Sequence, residues 1–144
     1  MDKKESEFLK RLLKTFRIEA KEHLDTMSSG ILELEKSPSA EKRMEIIEHM
    51  FREAHSLKGA ARTVNLVNIG SVCQSLEGVF AALKRQEISL SAQLFNVLYQ
   101  TLDILTGLSG ETEQTGAERP PVEKLINELE NIAHGGTEPL QRKW

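Results

Sequence analysis

The chain has 144 residues, the length of one ordinary domain, of which 39% are apolar and 28% are charged. Its net charge of −3 argues against a nucleic-acid-binding protein, because such proteins carry a basic surface. The single cysteine excludes an internal disulfide and fits a reducing cytoplasm. The start MDKKESEF lacks the apolar core of a signal peptide, and no apolar run approaches the roughly 20 residues of a membrane span. We therefore expect a cytoplasmic protein that does not insert into a membrane.

The first part of the sequence predicts two long helices. The first contains one apolar stripe with steps of three and four residues: Phe8, Leu12, Phe16, Ala20, Leu24, Met27, Ile31 and Leu34. This stripe passes through MSSG in phase, which favours a single helix, and Pro38 ends it. The second helix begins near Ser39, a good N-cap, and runs to about Thr63. Its predicted buried face carries Met44, Ile47, Phe51, Ala54 and Ala61.

Three further helices follow. The third spans roughly Leu66 to Arg85, and its stripe consists of Ile69, Val72, Cys73, Leu76, Val79, Phe80 and Leu83. Ser89 or Ser91 caps the fourth, which buries Leu94, Leu98, Leu102 and Leu105. After a polar segment rich in helix breakers, a fifth helix carries Val122, Leu125, Ile126, Leu129 and Ile132, and Gly135 and Gly136 stop it.

This pattern predicts an all-α protein, an antiparallel four-helix bundle with an additional fifth helix at its C-terminal side. We expect the bundle at residues 1–107, a loop at 108–121, and the fifth helix at 122–134, packed on the side or end of the bundle. Residues 135–144 are expected to form a flexible tail or the start of a linker.

The stretch FREAHSLKGAARTV, within the second predicted helix, carries the candidate site. His55 lies at the edge of the apolar stripe, with Lys58 one turn away and Gly59 stacked on it at i+4. Alanine would be a better helix former than Gly59 by about 1 kcal/mol, so this glycine needs a reason. Neutral imidazole is a nucleophile that can take a phosphoryl group, a lysine can neutralise phosphoryl oxygens, and a glycine lets a partner approach.

The third predicted helix carries Glu77 at its stripe edge, with Gln74 one turn before it. If the second and third helices pack antiparallel, Glu77 can accept a hydrogen bond from one imidazole nitrogen of His55. That bond fixes the tautomer and leaves the other nitrogen free to attack.

Metal-dependent and thiol-dependent enzymes are less consistent with this sequence. His49, Glu53 and His55 do not have the His-Glu-x-x-His spacing that places two ligands on one helix face, and we expect no metal site. Cys73 lies on an apolar stripe, which favours a core residue over a nucleophile. His23, His49 and His134 are interpreted as surface residues.

The run AHSLKGAARTVNL resembles the signature of the His-containing phosphotransfer (HPt) domain, which reads His, Ser or Thr, any residue, Lys, Gly. The resemblance is closest to the first domain of chemotaxis histidine kinases, to which GILELEKSP and CQSLEGVF are also similar. It covers about Phe8 to Leu105, and the fifth helix is similar to that subgroup as well.

The resemblance implies that His55 is phosphorylated, that Lys58 contacts the phosphoryl group and that Glu77 holds the imidazole. Gly59 would leave room for the receiver. The chain departs from the subgroup at Gln74, where a second histidine is common, because a glutamine can hydrogen-bond but cannot titrate. Arg62 and Asn65 stand where close relatives often have glycine, which bears on partner preference.

The resemblance also implies the partners. A histidine kinase ATP-binding domain, in cis or in trans, would phosphorylate His55, and an aspartate of a response-regulator receiver domain would accept the group. ATP and Mg²⁺ are used by those partner domains, and we expect no cofactor on this chain and a monomeric isolated domain. The candidate docking residues for the receiver are Arg52, Ser56, Gly59, Ala60, Arg62 and Gly78. The alternative is a helical interaction module in which His55 is not phosphorylated.

Overall fold

The computed structural model describes residues 2–110 and 122–135, and within these ranges all regular structure is helical. The five helices are α1 (Lys3–Glu35), α2 (Ala40–Thr63), α3 (Val67–Lys84), α4 (Ala92–Leu108) and α5 (Val122–Ala133). The predicted helical class and the five helices are confirmed. Parts of the expected loop and tail, residues 111–121 and 136–144, lie outside the described residues.

The helix starts are set by local side-chain caps. Asp2 and Glu5 form a reciprocal capping box at the start of α1. Ser39 and Ser91 each accept a hydrogen bond from a backbone N–H of the first turn, of α2 and α4 respectively. The α1 helix runs through MSSG without interruption, as predicted. Gly30 within that helix lets α1 and α2 approach closely, since a Cβ there would meet Met50 Sδ at 2.9 Å.

The first four helices form an antiparallel bundle. His23 and Gly30 of α1 face Glu53 and Met50 of α2 in that order, so residue numbers rise in one helix as they fall in the other. In the same way, His55 and Arg62 of α2 face Glu77 and Gly70 of α3. The α5 helix packs mainly on α3 and also touches α4. The core is apolar and draws on all five helices: Phe16, Ala20, Leu24, Met27, Ile31, Leu34, Ile46, Ile47, Met50, Ala54, Leu57, Ala61, Ile69, Val72, Cys73, Leu76, Val79, Phe80, Leu83, Leu94, Val97, Leu98, Leu102, Leu105, Leu125, Leu129 and Ile132.

Several predicted core positions are less buried than expected. Phe8 is 55% exposed, because the first turns of α1 extend past the end of α2 and bury no residue before Phe16. In α2, Met44 and Phe51 are only half-buried, while Met50 and Leu57 are fully buried. The stripe of α2 is therefore rotated from the predicted one toward the side that faces both α1 and α3.

The turn between α2 and α3 contains only residues 64–66. Asn65 adopts a left-handed conformation with φ 64°, which asparagine tolerates better than most residues. Three backbone hydrogen bonds close the turn, including one of 2.9 Å from the N–H of Leu66 to the carbonyl of Ala61. This tight connection determines which residues of α2 and α3 lie side by side.

Candidate functional site

His55 emerges from the bundle because its neighbours along α2 are buried. Ala54 and Leu57 point into the core, and the side chain of His55, between them in sequence, is 65% exposed. The position confirms the expected placement at the edge of the apolar stripe.

The carboxylate of Glu77, on α3, is hydrogen-bonded to the imidazole of His55. The Nδ1 atom of His55 lies 3.1 Å from Oε2 of Glu77, whose side chain is only 10% exposed. An ionised carboxylate can only accept, so Nδ1 carries the proton and donates it to this hydrogen bond. The lone pair is then on Nε2, which makes Nε2 the nucleophilic atom. The antiparallel packing of α2 and α3 brings the pair together as predicted.

Lys58 completes the site, with contacts different from those expected. Its side chain is 11% exposed, and Nζ lies 3.0 Å from Oε1 and 2.9 Å from Oε2 of Glu77. It also donates a hydrogen bond of 3.1 Å to Oε1 of Gln74. Lys58 therefore neutralises and orients the carboxylate in this structure, and contact with a phosphoryl group stays a prediction. Gln74 supports Lys58 and has no hydrogen bond to His55.

Gly59 provides open space beside the imidazole. A Cβ placed on this glycine would have no neighbour within 4 Å, and the residue is exposed. Ser56 is also exposed and Ala60 is half-buried, so the surface next to His55 consists of small residues. This surface can accept the backbone of a partner without displacing any side chain.

The remaining docking candidates lie in different environments. Arg52 is paired with Glu48 at 3.2 Å, and Nζ of Lys84 lies 3.5 Å from the same Glu48 oxygen. Arg62 is exposed and lies on α2 two turns beyond His55. Gly78 is half-buried beside α5, where an added Cβ would lie 3.8 Å from the Cβ of Ala133. Gly78 therefore belongs to the α3–α5 contact more than to the open surface around His55.

Cys73 lies buried in the core on the same helix as Glu77. Burial is the main reason why the pKa of its thiol rises to about 12; the negative charge of Glu77 also raises this pKa, and the positive charge of Lys58 lowers it. A thiol with that pKa stays protonated at neutral pH and is a poor nucleophile. The placement of Cys73 in the core agrees with its predicted role.

Sequence reasoning missed a second histidine–glutamate pair. His23 was interpreted as a surface residue, but its side chain is 24% exposed and its Nδ1 lies 2.6 Å from Oε1 of Glu53. The sequence does indicate that His23 is partly buried, because it lies seven residues from both Phe16 and Gly30 and so shares their buried face. His49 is exposed, with Nε2 3.8 Å from the other oxygen of Glu53. His134 is exposed as expected, and its Nδ1 bonds the carbonyl of Glu130.

Within residues 2–110 and 122–135, no three His, Cys, Asp or Glu side chains are gathered closely enough to hold a metal ion. None of the helices described above is both long and apolar enough to cross a membrane.

The fold and the site thus define a helical bundle that presents one accessible imidazole, bonded to a buried carboxylate, at the junction of two helices. The family model of the Hpt domain matches residues 11–135, and the chain therefore belongs to the Hpt domain family. This match includes the site and all of α2 to α5.

Individual relatives agree with the family match. The chain is 30% identical over 97 residues to the chemotaxis protein CheA of Bacillus subtilis, covering 67% of this chain and 14% of that protein. It is 23% identical over 123 residues to CheA of Listeria monocytogenes, covering 85% of this chain and 19% of that protein. The chain thus spans less than a fifth of the length of these relatives.

One solved structure resembles the fold. It is the phosphorylated P1 domain of CheA3 from R. sphaeroides, crystallised in complex with CheY6. The TM-score is 0.67 with 18% sequence identity, and the match covers 85% of this chain and 95% of that one. The likeness supports the bundle with its fifth helix as the fold of this chain.

Proposed function

We propose that this chain is a histidine phosphotransfer domain of a chemotaxis-type signalling system. The observation that carries the proposal is the pairing of an exposed imidazole with a buried carboxylate through Nδ1, which leaves Nε2 open to a partner. Membership of the Hpt family supports it, as does the similarity to CheA proteins and to a phosphorylated P1 domain. The cytoplasm is the compartment we propose, since ATP supplies the phosphoryl group there.

In the first step, Nε2 of His55 attacks the γ-phosphorus of ATP held by a kinase ATP-binding domain. A nitrogen–phosphorus bond forms, the bond to the leaving oxygen breaks, and ADP departs with that electron pair. The imidazole ring gains positive charge as this happens. The carboxylate of Glu77, already bonded to Nδ1, stabilises this charge without having to move.

In the second step, a carboxylate oxygen of a receiver aspartate attacks the same phosphorus. The nitrogen–phosphorus bond breaks, and its electron pair returns to Nε2 as the lone pair of neutral His55. Mg²⁺ and ATP are supplied by the partner domains in this scheme. The open surface at Gly59 gives the receiver the approach that this in-line displacement requires.

The test is phosphoryl uptake measured by intact mass. The chain is mixed with a chemotaxis-type kinase core, Mg²⁺ and ATP, beside the His55→Gln variant, and acid-labile uptake is expected in the native chain alone. Phosphorylated receivers serve as alternative donors. Uptake by neither route, or equal uptake by His55→Gln, would contradict the proposal and favour the interaction module without phosphorylation.

A further inference from the structure

The cations along the exposed α2–α3 face differ in how they are paired. Lys58 is held by Glu77, and Arg52 and Lys84 share Glu48. Arg62 lies on the same face, and no carboxylate in the described part of the chain pairs with it. Among the described cations of this face, Arg62 therefore carries the charge that no neighbouring carboxylate neutralises.

The side chain of Arg62 packs against Gly70 of α3, and we call this contact the seat of Arg62. Gly70 is buried, and a methyl group placed on it would lie 3.4 Å from Cγ and 3.5 Å from Nε of Arg62. The aliphatic stem of Arg62 thus lies across the bare backbone of α3, in the space that a larger side chain at position 70 would fill. The guanidinium of a stem held in this way loses less freedom when it binds a partner.

The position of Arg62 relative to His55 suits a partner that covers both. Seven residues separate them, which places them within about 20° on the same face and about 10 Å apart along the helix axis. The open Gly59 lies between them. A partner docked over Gly59 to reach Nε2 of His55 would therefore also meet Arg62.

We infer that Arg62, seated on Gly70, is the charged anchor that selects an acidic receiver surface beside the phosphoacceptor aspartate. The inference rests on the proposed function, because it concerns the partner of His55. A receiver that binds a divalent cation beside its aspartate must present several carboxylates, which matches an unpaired guanidinium in charge and geometry. Arg52 contributes less, because Glu48 already neutralises it.

The experiment follows phosphoryl transfer from phosphorylated His55 to a chemotaxis-type receiver at increasing receiver concentration. For Arg62→Gln we expect the half-saturating receiver concentration to rise about three- to tenfold, with the limiting rate within about twofold. The dependence of transfer on salt should weaken as well. Arg52→Gln should raise the half-saturating concentration less than Arg62→Gln, and Lys36→Gln, the same charge change on an exposed residue just after α1, should leave it unchanged.

The seat is tested separately from the charge. Gly70→Leu should displace Arg62 and raise the half-saturating concentration as Arg62→Gln does, whereas Gly70→Ala, whose methyl group makes ordinary contact, should have a smaller effect. In the Arg62→Gln background, Gly70→Leu should add nothing. Helix content and thermal midpoints identify any variant that fails to fold.

Three outcomes would overturn the inference while phosphorylation of His55 stands: an unchanged concentration dependence in Arg62→Gln, equal effects of Arg52→Gln and Arg62→Gln, or a loss confined to the limiting rate. A native chain that takes up no phosphoryl group would overturn the proposed function itself. The two failures are distinguished because uptake from the kinase is measured before any receiver is added.

Discussion

Among the residues that the structure describes, two histidine–glutamate pairs join neighbouring helices, and they differ in how far the imidazole is exposed. His23 and Glu53 join α1 to α2 at 2.6 Å, and both side chains are mostly buried. His55 and Glu77 join α2 to α3 at 3.1 Å, with the carboxylate buried and the ring exposed. The same kind of hydrogen bond joins two helices in both places, but at His55 it leaves the ring exposed at the surface.

The surroundings of the two carboxylates differ as well. Glu77 is bonded by the ammonium of Lys58, which is itself held by Gln74. Glu53 has a second histidine, His49, at 3.8 Å in place of a lysine. The ammonium of Lys58 contacts both oxygens of Glu77 and so fixes the orientation of this carboxylate. A histidine–glutamate pair alone is therefore a weak sign of function, and accessibility together with a supporting cation makes it informative.

The largest effect is expected from closing the space beside the reactive ring. Gly59→Leu should abolish transfer to a receiver through steric exclusion. The free energy of unfolding should stay the same or rise by up to about 1 kcal/mol, since leucine is the better helix former. Gly107→Leu is the matched control, because Gly107 also lies in a helix with open space around it. Transfer kinetics and urea unfolding measure both quantities, and transfer that survives in Gly59→Leu would contradict this account of the glycine.

The next effect concerns the orienting carboxylate. Glu77→Gln should slow phosphorylation of His55 about 10- to 100-fold, because an amide neither fixes the Nδ1–H tautomer nor balances the charge that develops on the ring. Glu53→Gln changes the equivalent group of the other pair and should leave the rate unaltered. Initial rates of uptake with a kinase core compare them. Equal rates in the two variants would remove the distinction between the pairs.

A smaller effect is expected from changing His23, whose hydrogen bond to Glu53 joins α1 to α2. His23→Gln should leave phosphoryl uptake intact but lower the free energy of unfolding by about 1–3 kcal/mol, since it weakens the hydrogen bond to the largely buried Glu53. Urea unfolding monitored by circular dichroism measures the change. Loss of uptake in a folded His23→Gln protein would give the α1–α2 pair a role that its geometry does not suggest.

The smallest effect is a pH dependence from the core beneath the reactive pair. Burial, reinforced by Glu77, raises the pKa of Cys73 from an ordinary value of 9.0 to about 12, so the folded state favours the protonated thiol. This contribution to stability is complete below about pH 9 and is lost as the pH rises from about 9 to about 12. Native protein should resist a thiol reagent at pH 8, and Cys73→Ala should show a shallower loss of stability between pH 8 and 10. Rapid labelling of folded protein would contradict the burial.

The helices were predictable because their signals are local. Apolar residues at steps of three and four predicted the stripes of α1 and α3. Ser39 marks the start of α2, and Ser91 marks the start of α4. Whether another helix covers an apolar stripe depends on the tertiary structure, which the local sequence does not encode. Phe8 continues the periodicity of α1, yet it is exposed because no other helix covers it.

The site was predictable as a set of residues more than as a set of contacts. The spacing of His55, Lys58 and Gly59 follows from helix geometry alone, and the resemblance pointed to Glu77. The bonds from Lys58 to Glu77 and Gln74 depend on how far α3 is shifted along α2, which no local pattern encodes. The contact between Arg62 and Gly70 was missed for the same reason.

The three-residue turn at Asn65 fixes the position of Glu77 relative to His55. His55 lies nine residues before the first residue of that turn and Glu77 lies eleven residues after its last, so the turn sets the alignment between the imidazole and its carboxylate. If one inserted residue were taken up as an extra helical residue at the start of α3, the rest of α3 would shift by about 1.5 Å and turn by about 100° relative to α2, which would carry Glu77 away from the imidazole. An insertion of this kind would separate the imidazole of His55 from Glu77 without changing either residue.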